Sequence, residues 1–207
     1  MCRRLTLAGA TCGAAALPDP AAAHLVGVEF GEFYAGALHL TLAPEHVAAL
    51  LALALVAALQ PREHARWILL ALPVGLLIGA AAALVVPATT PLDPAIGASL
   101  IVPGLLGLAG TRLAVPALAV LALALGGLHA YANGLSVHEA PVDWRLYLAG
   151  IVSAGTVLGT LLVALATVVA SHPEGQPRGW ARIAERAVCS WIAAAGTIFT
   201  GLALSGV

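Results

Sequence analysis

The sequence predicts an all-α integral membrane protein: a signal peptide followed by a bundle of about six transmembrane helices, the first bent near its outer end. Three observations carry this prediction. Of the 207 residues, 61% are hydrophobic and 9% charged, and the mean hydropathy is +0.99; soluble domains carry about 25% charged residues. Apolar runs recur at close to the roughly 20 residues that cross a bilayer, separated by short links rich in proline and polar residues. Every basic residue is an arginine, and the arginines gather on alternate links. The formal net charge of −1 gives no basic surface for a nucleic acid.

The first element is the N-terminal segment 1–23, read as a cleaved secretory signal. Arg3 and Arg4 form its positive end, a short apolar core runs from Leu5 to Leu17, and Pro18 and Pro20 break that core. Ala21, Ala22 and Ala23 suit a small-residue cleavage site, which makes His24 the mature N-terminus and leaves 24–207 as one six-span domain. An uncleaved anchor is the alternative. Of the three cysteines, Cys2 and Cys12 lie in this segment and Cys189 in an apolar run, so no disulfide framework or cysteine metal cluster is available.

The expected spans are 35–59, 65–86, 94–109, 113–131, 144–170 and 183–204. Pro44 splits the first, because its ring disfavours a helix running through it. A bend near Leu40 to Ala43 follows, with Pro44 in the first turn of a new helix. Pro103 and Gly104 sit inside the short third span, which is expected to break there. Gly155 and Gly159 form a G-x-x-x-G in the fifth, a motif of close helix approach. With the mature N-terminus outside, Arg62, Arg66, Arg112, Arg178, Arg182 and Arg186 lie at cytoplasmic ends and Arg145 alone outside. The positive-inside rule thus predicts a multi-pass protein of a bacterial inner membrane with both termini outside the cytoplasm.

That orientation gathers the unusual polar residues. His39, Glu45 and His46 fall in the outer half of the first span, and His129 and Asn133 at the outer end of the fourth. His24, Glu29 and Glu32 stand in the outer arm, and His138 and Glu139 in an outer loop. Ionisable groups at membrane depth face a cavity, a pathway or a bound ion. Neutral imidazole with carboxylate or amide oxygen suits divalent nickel, copper, zinc or cobalt. The expected metal-site residues are therefore His39, Glu45, His46, His129, Asn133 and His24, with His46 and His129 sharing one cation. The bland alternative for His129 is a hydrogen bond at its helix end. His138 reads as a loop residue, and His64 and His172 are solvated link residues without a role. In the inner halves of the spans, the only groups expected to continue a path are Ser153, Thr156, Thr160 and carbonyls freed near Pro103.

The run Gly36-Ala37-Leu38-His39-Leu40-Thr41-Leu42-Ala43-Pro44-Glu45-His46 resembles the first-span pattern G-F-x-H-P-x-x-G-x-D-H of the HupE/UreJ family. It keeps both histidines and has glutamate for aspartate. His129-Ala130-Tyr131-Ala132-Asn133-Gly134 resembles that family's H-G-H-A-H-G, keeping the first histidine and the last glycine. The resemblance runs from about Glu29 to the end. It implies a hydrogenase or urease accessory membrane protein that imports nickel, with no tightly bound cofactor. The implied partners are the metal ion, the lipid bilayer, metalloenzyme maturation proteins and a second copy of the chain.

Two other readings stand beside this permease. One is a non-transporting accessory subunit or metal sensor that keeps the outer site and lacks an inner path. The other is enzymatic: Gly97-Ala98-Ser99 resembles the serine motif of rhomboid-type intramembrane proteases, with His129 as base, although Leu100 follows where that motif has glycine. The leading reading is not an enzyme.

Overall fold

A computed structural model describes residues 31–138, 142–170 and 179–205. Among them seven α-helices and one 3-10 turn follow in order: α1 (Glu32–Leu42), α2 (Pro44–Ala58), α3 (Arg62–Val85), α4 (Asp93–Ala109), α5 (Val115–Gly134), the turn Leu135–His138, α6 (Trp144–Ala170) and α7 (Gly179–Ser205). There is no strand among the described residues. The predicted signal segment, His24 and Glu29 lie outside the described residues, as do Glu139 and His172.

The expected bend is present. Ala43 is extended (φ −78°, ψ 115°), Pro44 opens α2, and the axes of α1 and α2 meet at 68°. Proline suits the first turn because the amide it lacks would have no partner there. Pro103 behaves differently: α4 runs unbroken past it. Its ring costs the Ser99 carbonyl a helical hydrogen bond, but packing holds the helix together. A Cβ on Gly104 or Gly107 would collide with Ala193 or Cys189 of α7, so α4 lies directly on that helix. The left-handed Gly110 (φ 69°) ends α4, a conformation glycine adopts without a Cβ clash.

By length and composition α3, α6, α7 and α5 with its 3-10 turn can each cross a bilayer, and α1 with α2 is a fifth candidate as one broken span. The six expected spans therefore reduce to four or five. α4 has 17 residues, about 25 Å at 1.5 Å per residue, short of the roughly 30 Å hydrocarbon core. The outward surface is apolar: Leu161 is 62% exposed and Trp191 78%. A contiguous surface of this kind suits lipid. Trp67, Trp144 and Trp180 mark helix starts, with Arg66 and Arg145 over the Trp67 and Trp144 rings, as at membrane–water interfaces.

Small residues set the helix pairs. α3 lies on α5 with Gly79 against Gly127 and Gly75 against Leu123; α1 lies on α6 with Gly36 against the Tyr147 carbonyl and Gly150 against that of Phe33. Gly155 and Gly159 make room for Leu76 and Leu72 of α3. Leu53, Val56, Ile68, Leu72, Leu118 and Ile151 form the main core, and Ala49, Ala52, Leu100 and Ile192 join α2, α4 and α7. Gln60 ties the links at one end of the bundle. Its Nε2 donates to the carbonyls of Val56 (2.9 Å) and Thr111 (3.1 Å), and its Oε1 accepts from the Leu113 amide at 3.0 Å.

Candidate functional site

Three helices deliver the polar centre. Pro44 starts α2, so His46 sits in its first turn; His129 stands near the C-terminal end of α5, and Ser99 midway along α4. His46 and His129 are 6% and 4% exposed, and their rings meet edge to face with centroids 4.9 Å apart. The two Nδ1 atoms are 2.6 Å apart, and His129 Nε2 lies 2.8 Å from Ser99 Oγ.

Proton counting assigns this network. A neutral imidazole carries one N–H, and two nitrogens at hydrogen-bond distance share a single proton. The Ser99 hydroxyl donates to the Ile96 carbonyl at 2.6 Å, so its oxygen accepts from His129 Nε2–H. His129 Nδ1 is then a lone pair and accepts from His46 Nδ1–H. His46 Nε2 is left as a lone pair, 3.9 Å from Glu45 Oε1. Three residues on three helices thus form one hydrogen-bonded chain, His46, His129 and Ser99, with the Glu45 carboxylate beside its open end.

The other predicted residues fall into place around it. His39, in the last turn of α1, is half-buried, with its ring centroid 6.3 Å from that of Tyr147, and it is near enough to act electrostatically on His46. Asn133, 1% exposed, donates from Nδ2 to the His129 carbonyl at 2.7 Å, and its Oδ1 is buried without a hydrogen-bond partner. An orphaned buried acceptor of this kind calls for a missing donor or ion. No three His, Cys, Asp or Glu side chains among the described residues converge as a metal-holding group. The groups brought together are two imidazoles, with Glu45 beside them.

Some expectations change. His138 is not a free loop residue: it ends the 3-10 turn with Nε2 2.9 Å from the Ala83 carbonyl. Ser153 and Thr160 are exposed on the outside of α6, so they do not line an interior path. A buried acid that the sequence reading passes over stands in the apolar α7: Glu185, 6% exposed, with Oε1 unpartnered. Its signal is a carboxylate within the expected span 183–204, between Arg182 and Arg186, by the criterion that singled out Glu45.

The serine reading also meets the geometry. Ser99 and His129 touch, as a nucleophile and its base would. Activation requires the serine proton to point at the imidazole. Here that proton is directed at Ile96, and Ser99 is the acceptor. The arrangement orients His129 and does not activate Ser99.

A glycine-packed helical bundle with an apolar exterior and a buried imidazole pair beside a broken helix defines a multi-pass membrane protein with an internal polar centre. The chain belongs to the HupE / UreJ protein family, whose sequence pattern matches residues 12–199. No curated protein and no solved structure matches the chain.

Proposed function

We propose that this protein binds a divalent transition-metal cation at the His46–His129 pair and passes it across the membrane, serving metalloenzyme maturation. Membership of the HupE / UreJ family suggests a nickel or cobalt accessory membrane protein, and nickel is the cargo that the resemblance of the His39–His46 and His129–Gly134 runs implies. The observation that carries the reading is the 2.6 Å approach of two buried Nδ1 atoms, with His129 Nε2 hydrogen-bonded to Ser99 and the Glu45 carboxylate 3.9 Å from His46 Nε2. Ligating histidines characteristically give their second N–H to a carboxylate or other acceptor.

Loading needs one proton shift and no net protonation change. His46 moves its proton from Nδ1 to Nε2, toward Glu45, while His129 keeps Nε2–H on Ser99. Both Nδ1 lone pairs then face the incoming ion. Ligand nitrogens about 2.0–2.1 Å from a tetrahedral ion stand roughly 3.3 Å apart, so the rings must open by about 0.7 Å from their 2.6 Å separation. Asn133 Oδ1, lacking a partner, is an oxygen acceptor available near the pair.

A second reading, a non-transporting accessory subunit or sensor, is favoured by one feature. Past His46 the buried face of α2 is wholly apolar through Ala49, Leu53 and Val56. Uptake of nickel, cobalt, zinc and copper into sealed vesicles separates the two. The permease reading expects one cation to accumulate with the wild-type protein and not with His46→Ala. Binding without accumulation would leave the sensor reading standing.

A further inference from the structure

At the opposite end of α2 the bundle holds a cavity of about 500 Å³. From His46 it is 12 residues to Ala58, about 18 Å along the helix, so this is not the imidazole site. Its lining comes from two links and the helix ends around them: Gln60 and Arg62, Gly110 and Arg112, Ala170, and Arg182 and Glu185. A space of this size suits a small organic group.

The charges in it are unbalanced. Arg62, Arg112 and Arg182 bring three guanidiniums, all on exposed residues, against the one carboxylate of Glu185. Among the described residues no salt bridge joins any of them, and the Arg182 charge acts on the Glu185 carboxylate only from beyond contact distance. Arg186, next along α7, is engaged elsewhere, donating from Nε to the Leu108 carbonyl at 2.8 Å. The Gln60 amide is also used up, holding the links together. The second observation is Glu185 itself: its side chain is 94% removed from solvent by the 6% exposure of the residue, and Oε1 has no donor. A buried acceptor without a partner is costly. The site therefore lacks two things together: an anion for the guanidiniums and a hydrogen-bond donor for the carboxylate.

One chemical group supplies both. A phosphodiester matches the forked donors of arginine, and a hydroxyl or ammonium a few bonds away reaches the carboxylate. That is the composition of a glycerol- or ethanolamine-bearing phospholipid headgroup. The location agrees, because the cavity lies where helix ends meet their links, at headgroup depth. Basic recesses between transmembrane helices on the arginine-rich side are of the kind that hold lipid headgroups. We propose that this cavity is a phospholipid headgroup site, with the phosphodiester on Arg62, Arg112 and Arg182 and the headgroup donor on Glu185 Oε1. The proposal is independent of the cation reading.

The test is native mass spectrometry of the detergent-purified full chain, titrated separately with phosphatidylglycerol, phosphatidylethanolamine and phosphatidylcholine of matched acyl chains. Choline has a phosphodiester and no hydrogen-bond donor. The glycerol and ethanolamine lipids are expected to be retained at least fivefold more than the choline lipid. Arg112→Gln with Arg182→Gln should bring their retention down to the choline level, while Arg182→Lys, which keeps the charge, retains most of it. Glu185→Ala should abolish the preference over choline. A separate arm adds glycerol phosphate: at millimolar concentration it should leave the lipid adducts in place. Equal retention of all three lipids, wild-type retention in the double glutamine variant, or displacement by glycerol phosphate each overturns the headgroup site, the last by assigning the cavity to a soluble phosphate.

Discussion

Replacing Ser99 by alanine isolates the network from its ligands. Ser99 Oγ accepts the Nε2–H of His129 at 2.8 Å and passes its own proton to Ile96 at 2.6 Å. That bond fixes the tautomer that leaves Nδ1 free toward His46. Without it, an unloaded protein has an escape: His129 moves its proton to Nδ1 and donates to His46 instead. A loaded protein has none, because Nδ1 is on the cation and the buried Nε2–H is left without an acceptor. The loaded state alone therefore bears a cost of about 1–3 kcal/mol. At 1.4 kcal/mol per factor of ten, nickel affinity should fall by roughly 10–100-fold, the range for losing an outer-shell partner. Ser99→Thr, which retains the hydroxyl, should lose far less. Calorimetric titration of nickel into detergent-purified variants reads the affinity, and ¹⁵N imidazole shifts read the tautomer of His129. Wild-type affinity in Ser99→Ala, with the tautomer unchanged, would refute the assignment. A fluorophosphonate probe should leave Ser99 unlabelled, and labelling would return it to the role of nucleophile.

Other outcomes follow from the same geometry. His46→Ala and His129→Ala should weaken nickel binding by similar large factors, and the double variant by less than their product, since both dismantle one site; calorimetry on the three variants checks this. A Cβ at Gly36 would overlap the Tyr147 carbonyl, so Gly36→Ala should cost about 1–3 kcal/mol, read as a lowered thermal midpoint in detergent. Gln60→Ala removes three hydrogen bonds, two of them between links, and should cost about 2–3 kcal/mol, read the same way. A reporter active only in the cytoplasm, fused after Val207, should stay silent if the arginine bias sets the orientation.

How much of this was legible depended on which physical rule acted alone. The break at Pro44 could be read because a proline without its amide has one comfortable place, the start of α2. The same rule failed at Pro103, where a proline loses a single bond and the glycines beside it let α7 hold the helix straight. Tertiary packing outweighed the local signal there, and no single sequence displays which helix will press on which. His39, Glu45, His46 and His129 stood out as titratable groups in apolar surroundings. That the His46 and His129 rings touch through Nδ1 depends on rotamers and helix rotation, which have no trace in spacing. Ser99 was visible only as part of a weak tripeptide, and its use as an acceptor follows from the Ile96 carbonyl one turn back. Glu185 was legible in principle, as a carboxylate within the expected span 183–204, and was passed over.

The glycine contacts divide the two jaws of the centre unequally. His129 belongs to a helix seated backbone against backbone on α3, through Gly75, Gly79, Gly126 and Gly127. Ser99 belongs to one seated equally tightly on α7. Seams this close leave little room to rearrange, so they move as blocks or not at all. His46 hangs instead from the first turn of α2, two residues past the extended joint at Ala43 and Pro44, where no helical hydrogen bonds run through from α1. The opening of roughly 0.7 Å that two imidazole ligands need therefore falls to that turn, swinging against a fixed wall. The sequence places its one movable tooth at the end of a hinge and its anvil on a seam of glycine, and the proposed loading would then run in a set order: α2 yields first, and the wall behind His129 keeps its place.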